Sequence, residues 1–134
     1  MTVQTTPAST IDEGVHNLID ASISDYVDWK TRSIQHHIDR DGREGYWPKT
    51  RDEAIEEFRH SFRVTHGKKY TRISKITGSQ QCVHAFVVAV ADDNKFRLGD
   101  VLKPDGWKTP ARNKARGNVI EGNYPMQWTG PLYL

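Results

Sequence analysis

The sequence holds a single cysteine, Cys82, which excludes an internal disulfide framework and a cysteine-based zinc cluster. It has no long apolar stretch either: the longest, Ala85 to Ala91, falls far short of the ~20 residues that a membrane span needs. The opening MTVQTTPAST lacks both a basic region and an apolar segment, so no secretory leader is predicted. No G-x-S-x-G elbow, G-x-x-x-x-G-K-[ST] phosphate loop, G-x-G-x-x-G turn or H-E-x-x-H pair occurs. What is there is 134 residues with four Trp, five Tyr and four Phe, too aromatic for a disordered chain. The expectation is one small soluble intracellular domain.

Charge is divided unevenly. Up to His66 there are eight Lys/Arg against twelve Asp/Glu, a net −4. From Gly67 onward there are eleven against five, a net +6. An acidic front and a basic back can pair with each other, can stay solvated, or can turn the basic half towards an anionic partner.

Residues 1–9 are rich in Thr, Gln and Pro and are expected to form a disordered leader. Residues 10–134 then read as one α+β domain, helical and acidic to residue 66, β and loop and basic from 67. Thr10-Ile11-Asp12-Glu13 fits a capping box. Val15, Leu18, Ile19, Ile23, Tyr26, Val27, Ile34 and Ile38 recur at three- and four-residue intervals. That spacing predicts one amphipathic helix over about 11–39, with Ser22 to Ser24 as a candidate break. Asp41 to Gly45 reads as a turn-rich stop and Tyr46-Trp47-Pro48 as an extended connector. A second capping box at Thr50 to Glu53 opens a shorter helix ending near Arg63, its buried side marked by Ala54, Ile55, Phe58 and Phe62.

After Lys69 the pattern changes. Tyr70 to Thr77 is rich in β-branched residues, and Gln81 to Ala91 alternates with apolar side chains on both faces. Val83, Ala85, Val87 and Ala89 are expected on one face, and Cys82, Phe86, Val88 and Val90 on the other, with His84 beside Cys82. Asp92-Asp93-Asn94 predicts a turn from which Lys95 to Leu98 returns antiparallel, followed by a short strand at Val101-Leu102. The Gly- and Pro-rich remainder reads as loops, with the Tyr124 to Leu134 tail lying against the body. The fold class is α+β: an N-terminal helical hairpin packed on a small antiparallel β-sheet, with a loop-rich C-terminus.

Chemistry concentrates in Lys103 to Asn118, KPDGWKTPARNKARGN. Lys103, Lys108, Arg112, Lys114 and Arg116 stand there with Trp107 and only Asp105 opposing. Such cations can neutralise phosphates while an exposed indole stacks on an unpaired base. Gly106 and Gly117 would let backbone N–H groups approach an oxyanion. The competing reading is a solvated loop whose Trp107 plugs the core. The histidines show no metal-ligand spacing: adjacent His36 and His37 point about 100° apart on a helix. Cys82 and His84 could form a nucleophile pair only in an open cleft with an orienting third group; a buried thiol and a satisfied core histidine are expected instead. No acid–base couple emerges, so no enzymatic activity, cofactor or metal is predicted, and a hydrolase using His84 or His66 ranks last.

Lys95 to Asn118, KFRLGDVLK followed by WKTPARNKARGNV, resembles the C-terminal core of small uncharacterised proteins encoded by tailed bacteriophages, and Lys69 to Val88 is similar to the same group. The resemblance implies expression in an infected host's cytoplasm and a host-interacting accessory role. The functional expectation is therefore a non-enzymatic phage binding protein that contacts nucleic acid or an acidic host protein, and no membrane, through its Trp-bearing loop. The alternative is a structural or assembly component that forms a homodimer through its N-terminal helices.

Overall fold

A computed structural model describes residues 3–41 and 46–132, with side chains described throughout except at 37–41 and 46–48. The expected stop at 42–45, the side chain of Ile38 and Tyr133 lie outside the described residues.

Helix α1 runs over Ile11–Asp41 without a break. At 1.5 Å per residue its 31 residues span about 46 Å. Thr10 Oγ1 accepts the Glu13 backbone N–H at 3.1 Å, as a capping box requires. The Glu13 carboxylate reaches one residue further back than expected, to the Ser9 N–H and hydroxyl. The helix continues through Ser22, whose hydroxyl turns back into it and donates to Leu18 O at 3.0 Å.

Helix α2 covers Tyr46–Arg59, so Tyr46-Trp47-Pro48 is helical and not the extended connector expected. Proline is tolerated there because the first turn leaves backbone N–H groups without intrahelical acceptors. The helix stops four residues before the expected Arg63, where the Ser61 N–H and hydroxyl both turn back to Phe58 O. Phe62–His66 then forms an unanticipated strand, β2. It pairs with β3, Tyr70–Thr77, which pairs with β4, Gln80–Val88, which pairs with β5, Val101–Leu102. This four-stranded sheet is wholly antiparallel.

A second sheet corrects the reading of the leader. Val3–Gln4, β1, pairs with Pro125–Gln127, β6, which turns back into Gly130–Pro131, β7. Thr5 is buried, its N–H and hydroxyl both donating to Tyr124 O at 3.0 Å. Low apolar content did not foretell order here, because the backbone groups find partners in the distant C-terminal segment. The tail lies against the body as expected: Tyr124 and Met126 are buried.

The α+β class is that predicted: α1 and α2 lie side by side, and α1 packs against sheet. Val15, Leu18 and Ala21 of α1 pack with Ile73, Ala85, Val87, Val101 and Met126. Phe86, Val88, Phe96 and Leu102 form a second cluster, on the other face of the sheet. Fully burying each such side chain contributes about 1.5–3 kcal/mol. A bulge decides which β4 residues join which cluster. Ile73 faces Ala85 but Ser74 faces Val83, leaving His84 as the extra residue. Alternation therefore breaks: Val83 packs with Phe86 and Val88, while His84 turns with Ala85 towards α1, meeting Ser22. The expected face sets are corrected accordingly.

Lys95 to Leu98 forms no strand. The Asp93 carboxylate takes the Lys95 and Phe96 N–H groups at 2.8 Å each, and Asp100 takes that of Arg97 at 2.9 Å. Three backbone donors that strand pairing would need are thus used locally.

Candidate functional site

The segment after β5 is a folded excursion. Pro104 bridges Pro110, the Ala111 N–H donates to Lys103 O, and the Asp105 and Gly106 N–H groups both donate to Thr109 O at 3.1 Å. This ties off a tight tip that carries Trp107 and Lys108. Further on, Asp100 bridges Asn118, and Arg116 and Gly117 bond back to Val101. Asn118 fixes that return: its amide donates to Leu98 O and Asp100 Oδ1, and its carbonyl accepts from the Ile120 and Glu121 N–H groups.

Trp107 does not plug the core; it is 41% exposed. Arg72, on β3, holds it by two contacts. The guanidinium carbon lies 4.2 Å from the ring centroid, and Nη1 donates to Trp107 O at 3.3 Å. Beside this pair is a groove of about 220 Å³, lined by Lys68, Lys69, Arg72 and Lys108, with Tyr70 and Phe86 among its walls. No carboxylate lines it among the described residues. The turn from β2 to β3 supplies the two lysines. The Gly67 N–H donates to Tyr70 O at 2.9 Å, and a Cβ on Gly67 would sit 2.9 Å from that same oxygen, so glycine permits this tight turn. Lys69 is half-exposed and meets Asp93 at 3.3 Å.

The six residues singled out by sequence do not form one surface. Lys108 lines the groove, and Trp107 stands next to it through Arg72 while lining a separate pocket with Asp105 and Gly106. Arg112 turns away into a bidentate pair with Asp93 and a hydrogen bond to Tyr70, so it is structural. Lys103 donates to Pro131 O, and burial lowers its pKa, with Arg116 adding to the effect. Arg116 donates to Leu132 O, Lys114 O and Asn113 Oδ1. Lys114 lines a different groove, shared with Lys95, Arg97, Asp100 and Glu121. There Arg97 and Glu121 form an ion pair that keeps the glutamate below its usual carboxylate range. Nor does Gly117 serve an oxyanion: a Cβ there would meet the Tyr124 ring at 2.3 Å, so the missing side chain makes room for an aromatic.

Lys68, Lys69 and Arg72 were missed. Their signal was the string KKYTR at residues 68–72, whose Tyr70 and Arg72 share a strand face by two-residue periodicity.

The Cys82–His84 reading changes too. Cys82 is exposed, against the buried thiol expected. His84 is buried, with Nε2 2.9 Å from Ser22 Oγ and its ring edge-on to Phe62. Ser22 has one hydroxyl proton and gives it to Leu18 O, so His84 donates through Nε2–H, and its Nδ1 is a buried acceptor with no partner among the described residues. Burial, with Lys75 and Lys103 nearby, pushes its pKa well below the usual histidine value.

No curated protein and no solved structure matches the chain. Residues 2–134 match the family described as "Family of unknown function (DUF7717)". That span takes in both helices, both sheets and the Trp107 excursion, and the chain accordingly belongs to this family.

Proposed function

We propose that this protein binds single-stranded nucleic acid, with phosphates along the groove formed by Lys68, Lys69, Arg72 and Lys108 and a base stacked on Trp107. The observation that carries the reading is the Arg72–Trp107 pair. One ring face is covered by a guanidinium, the residue is 41% exposed, and the groove reached through Arg72 is lined by cations and by no carboxylate among the described residues, Asp105 standing in the pocket on the other side. Stacking needs an unpaired base, and neutralising phosphates releases counterions, so this combination suits a single strand. An acidic protein would use the same cations and leave the indole unused.

The role is that of a non-enzymatic binding module. The resemblance of Lys95 to Asn118 to tailed-phage proteins supports placing it in an infected bacterial cytoplasm as an accessory factor. Self-association through α1 has less support. Val15, Leu18, Ala21, Ile23 and Ile34 are buried within one chain, and among the described residues of α1 only Trp29 is a large exposed apolar side chain.

Fluorescence anisotropy with a labelled oligothymidylate, titrated at several salt concentrations, tests this. Log affinity is expected to fall linearly with log salt, and Lys68→Ala and Lys108→Ala each to reduce the slope by about 0.7, one single-strand phosphate contact. Lys114→Ala is expected to leave the slope unchanged. Absence of binding at low salt, or slopes untouched by the groove substitutions, ends the reading.

A further inference from the structure

On the opposite side of β3 lies a second cavity, of about 310 Å³, between α1, α2 and the turn from β6 to β7. Two of its walls are aromatic. Tyr26 of α1 and Phe58 of α2 stack with centroids 4.1 Å apart and planes 4° from parallel. Trp128 stands nearly perpendicular to that stack, 5.5 Å from Tyr26 and 6.3 Å from Phe58. Into this corner projects the half-buried Lys75, its Nζ 5.8 Å from the Phe58 centroid and 5.9 Å from that of Trp128.

Among the described residues Lys75 has no carboxylate partner; the titratable group that acts on its charge is Cys82, opposite it on β4. Among the described residues its one hydrogen bond runs to Trp128 O at 2.9 Å, and no carboxylate comes within ion-pairing distance. An ammonium carries three N–H donors, so two remain for something else. Burial lowers the Lys75 pKa, with Cys82 on the same cavity wall pulling the other way. Glu57 also lines the cavity without pairing with Lys75. A group bearing two negative charges would meet repulsion from it; a single carboxylate on Lys75 meets less.

We infer that this cavity is a binding site for a small aromatic monocarboxylic acid, its ring against Tyr26, Phe58 and Trp128 and its carboxylate on the Lys75 ammonium. The volume lies at the lower end for ligand pockets, which suits one or two rings. The pairing supplies the charge-assisted hydrogen bonds that Lys75 lacks and leaves a flat apolar body on flat apolar walls. It is independent of the nucleic-acid groove, since Lys75 and Arg72 face opposite sides of the sheet, Arg72 with Phe86 and Lys75 with Phe58 and Trp128.

The test uses the full chain, with indole-3-acetate as probe and indole-3-acetamide as its neutral counterpart. Calorimetry is expected to show the acid binding at least tenfold more tightly than the amide. Lys75→Met is expected to abolish that difference. The indole N–H resonance of Trp128 is expected to move on titration with the acid. Equal affinity for acid and amide, no binding of the acid at millimolar concentration, or a shift confined to Trp107 would overturn the assignment. Should Lys75→Met fail to fold, the acid–amide comparison and the Trp128 resonance in the unaltered protein decide it alone.

Discussion

Arg112 holds Asp93 with both terminal nitrogens, Nη1 to Oδ2 at 3.0 Å and Nη2 to Oδ1 at 2.9 Å. The same carboxylate accepts the Lys95 and Phe96 N–H groups and meets Lys69, and its side chain is wholly covered. Arg112 also donates to the Tyr70 hydroxyl and lies over the Phe96 ring at 5.0 Å. One carboxylate thus joins three segments: the β2–β3 turn, the loop after β4 and the Trp107 excursion.

Arg112→Met is therefore expected to lower the thermal midpoint while leaving the salt slope of oligonucleotide binding unchanged. Arg112→Lys should not restore the midpoint, because a point ammonium cannot reproduce the planar two-pronged contact. Arg112, then the Phe96 and Lys95 N–H groups, hold the Asp93 carboxyl well below the usual carboxylate range. A depressed carboxyl contributes stability in full above its unfolded pKa of about 3.9 and loses it as pH falls through the lower folded value. In Arg112→Met, acid unfolding followed by circular dichroism should begin at a higher pH.

Trp107→Ala separates stacking from charge. Base stacking on an aromatic is worth about 1–3 kcal/mol, so affinity for a single strand should fall roughly 5- to 150-fold. The salt slope should stay the same, since no cation is lost. The thermal midpoint should barely move, because the indole is a surface side chain. A fall in affinity matched by an equal fall in slope would show that the indole acts only by positioning Arg72.

Gly14 inverts the usual helix rule. Ala in place of Gly inside an exposed helix normally stabilises by about 1 kcal/mol. Here a Cβ would lie 2.6 Å from Val119 Cβ and 2.7 Å from Val119 O, the second being backbone that cannot turn aside. Overpacking of this kind costs about 1–3 kcal/mol. Gly14→Ala is expected to be destabilising by roughly 1–2 kcal/mol in urea unfolding; any gain in stability would mean that α1 does not dock so closely on Val119.

His84 sets a pH dependence of opposite origin to that of the carboxylates. Burial favours its neutral form, so the unfolded chain binds a proton that the folded chain refuses. Stability is complete above the unfolded pKa of about 6.5 and falls as pH drops from there towards the lower folded value. Urea midpoints measured from pH 7 down to pH 5 should decline in the native sequence and decline less in His84→Gln. Parallel curves would place the decline elsewhere.

Much of the fold was legible, and the reasons are local. The three- and four-residue recurrence from Val15 to Ile34 fixed α1, and Thr10 with Glu13 fixed its start. β-branched composition marked β3 to the residue. The failures share a different cause. Thr5 was invisible because its partner, Tyr124, is 119 positions away. Lys95 to Leu98 looked like a returning strand because nothing in its composition shows that Asp93 and Asp100 take its N–H groups. The bulge at His84 has no compositional mark either, yet it exchanges the faces of every β4 residue on one side of it.

The candidate site shows the same division. Sequence alone identified a cationic stretch around an indole, because charge and residue type are written in the chain. It could not sort those cations. Arg112, Arg116 and Lys103 are held by acceptors from Asp93, Leu132 and Pro131, whereas Lys108 joins Lys68, Lys69 and Arg72 from a hairpin some forty residues earlier.

By itself, then, the amino-acid order determined where helices and strands arise and which half carries positive charge, since both follow from neighbours within a few residues. Which cations gather at the groove, which face of β4 meets α1, and that Lys75 stands among aromatic rings with no carboxylate partner among the described residues were decided only by folding. Each depends on the distance between groups far apart along the chain, and electrostatic and packing energies act through that distance.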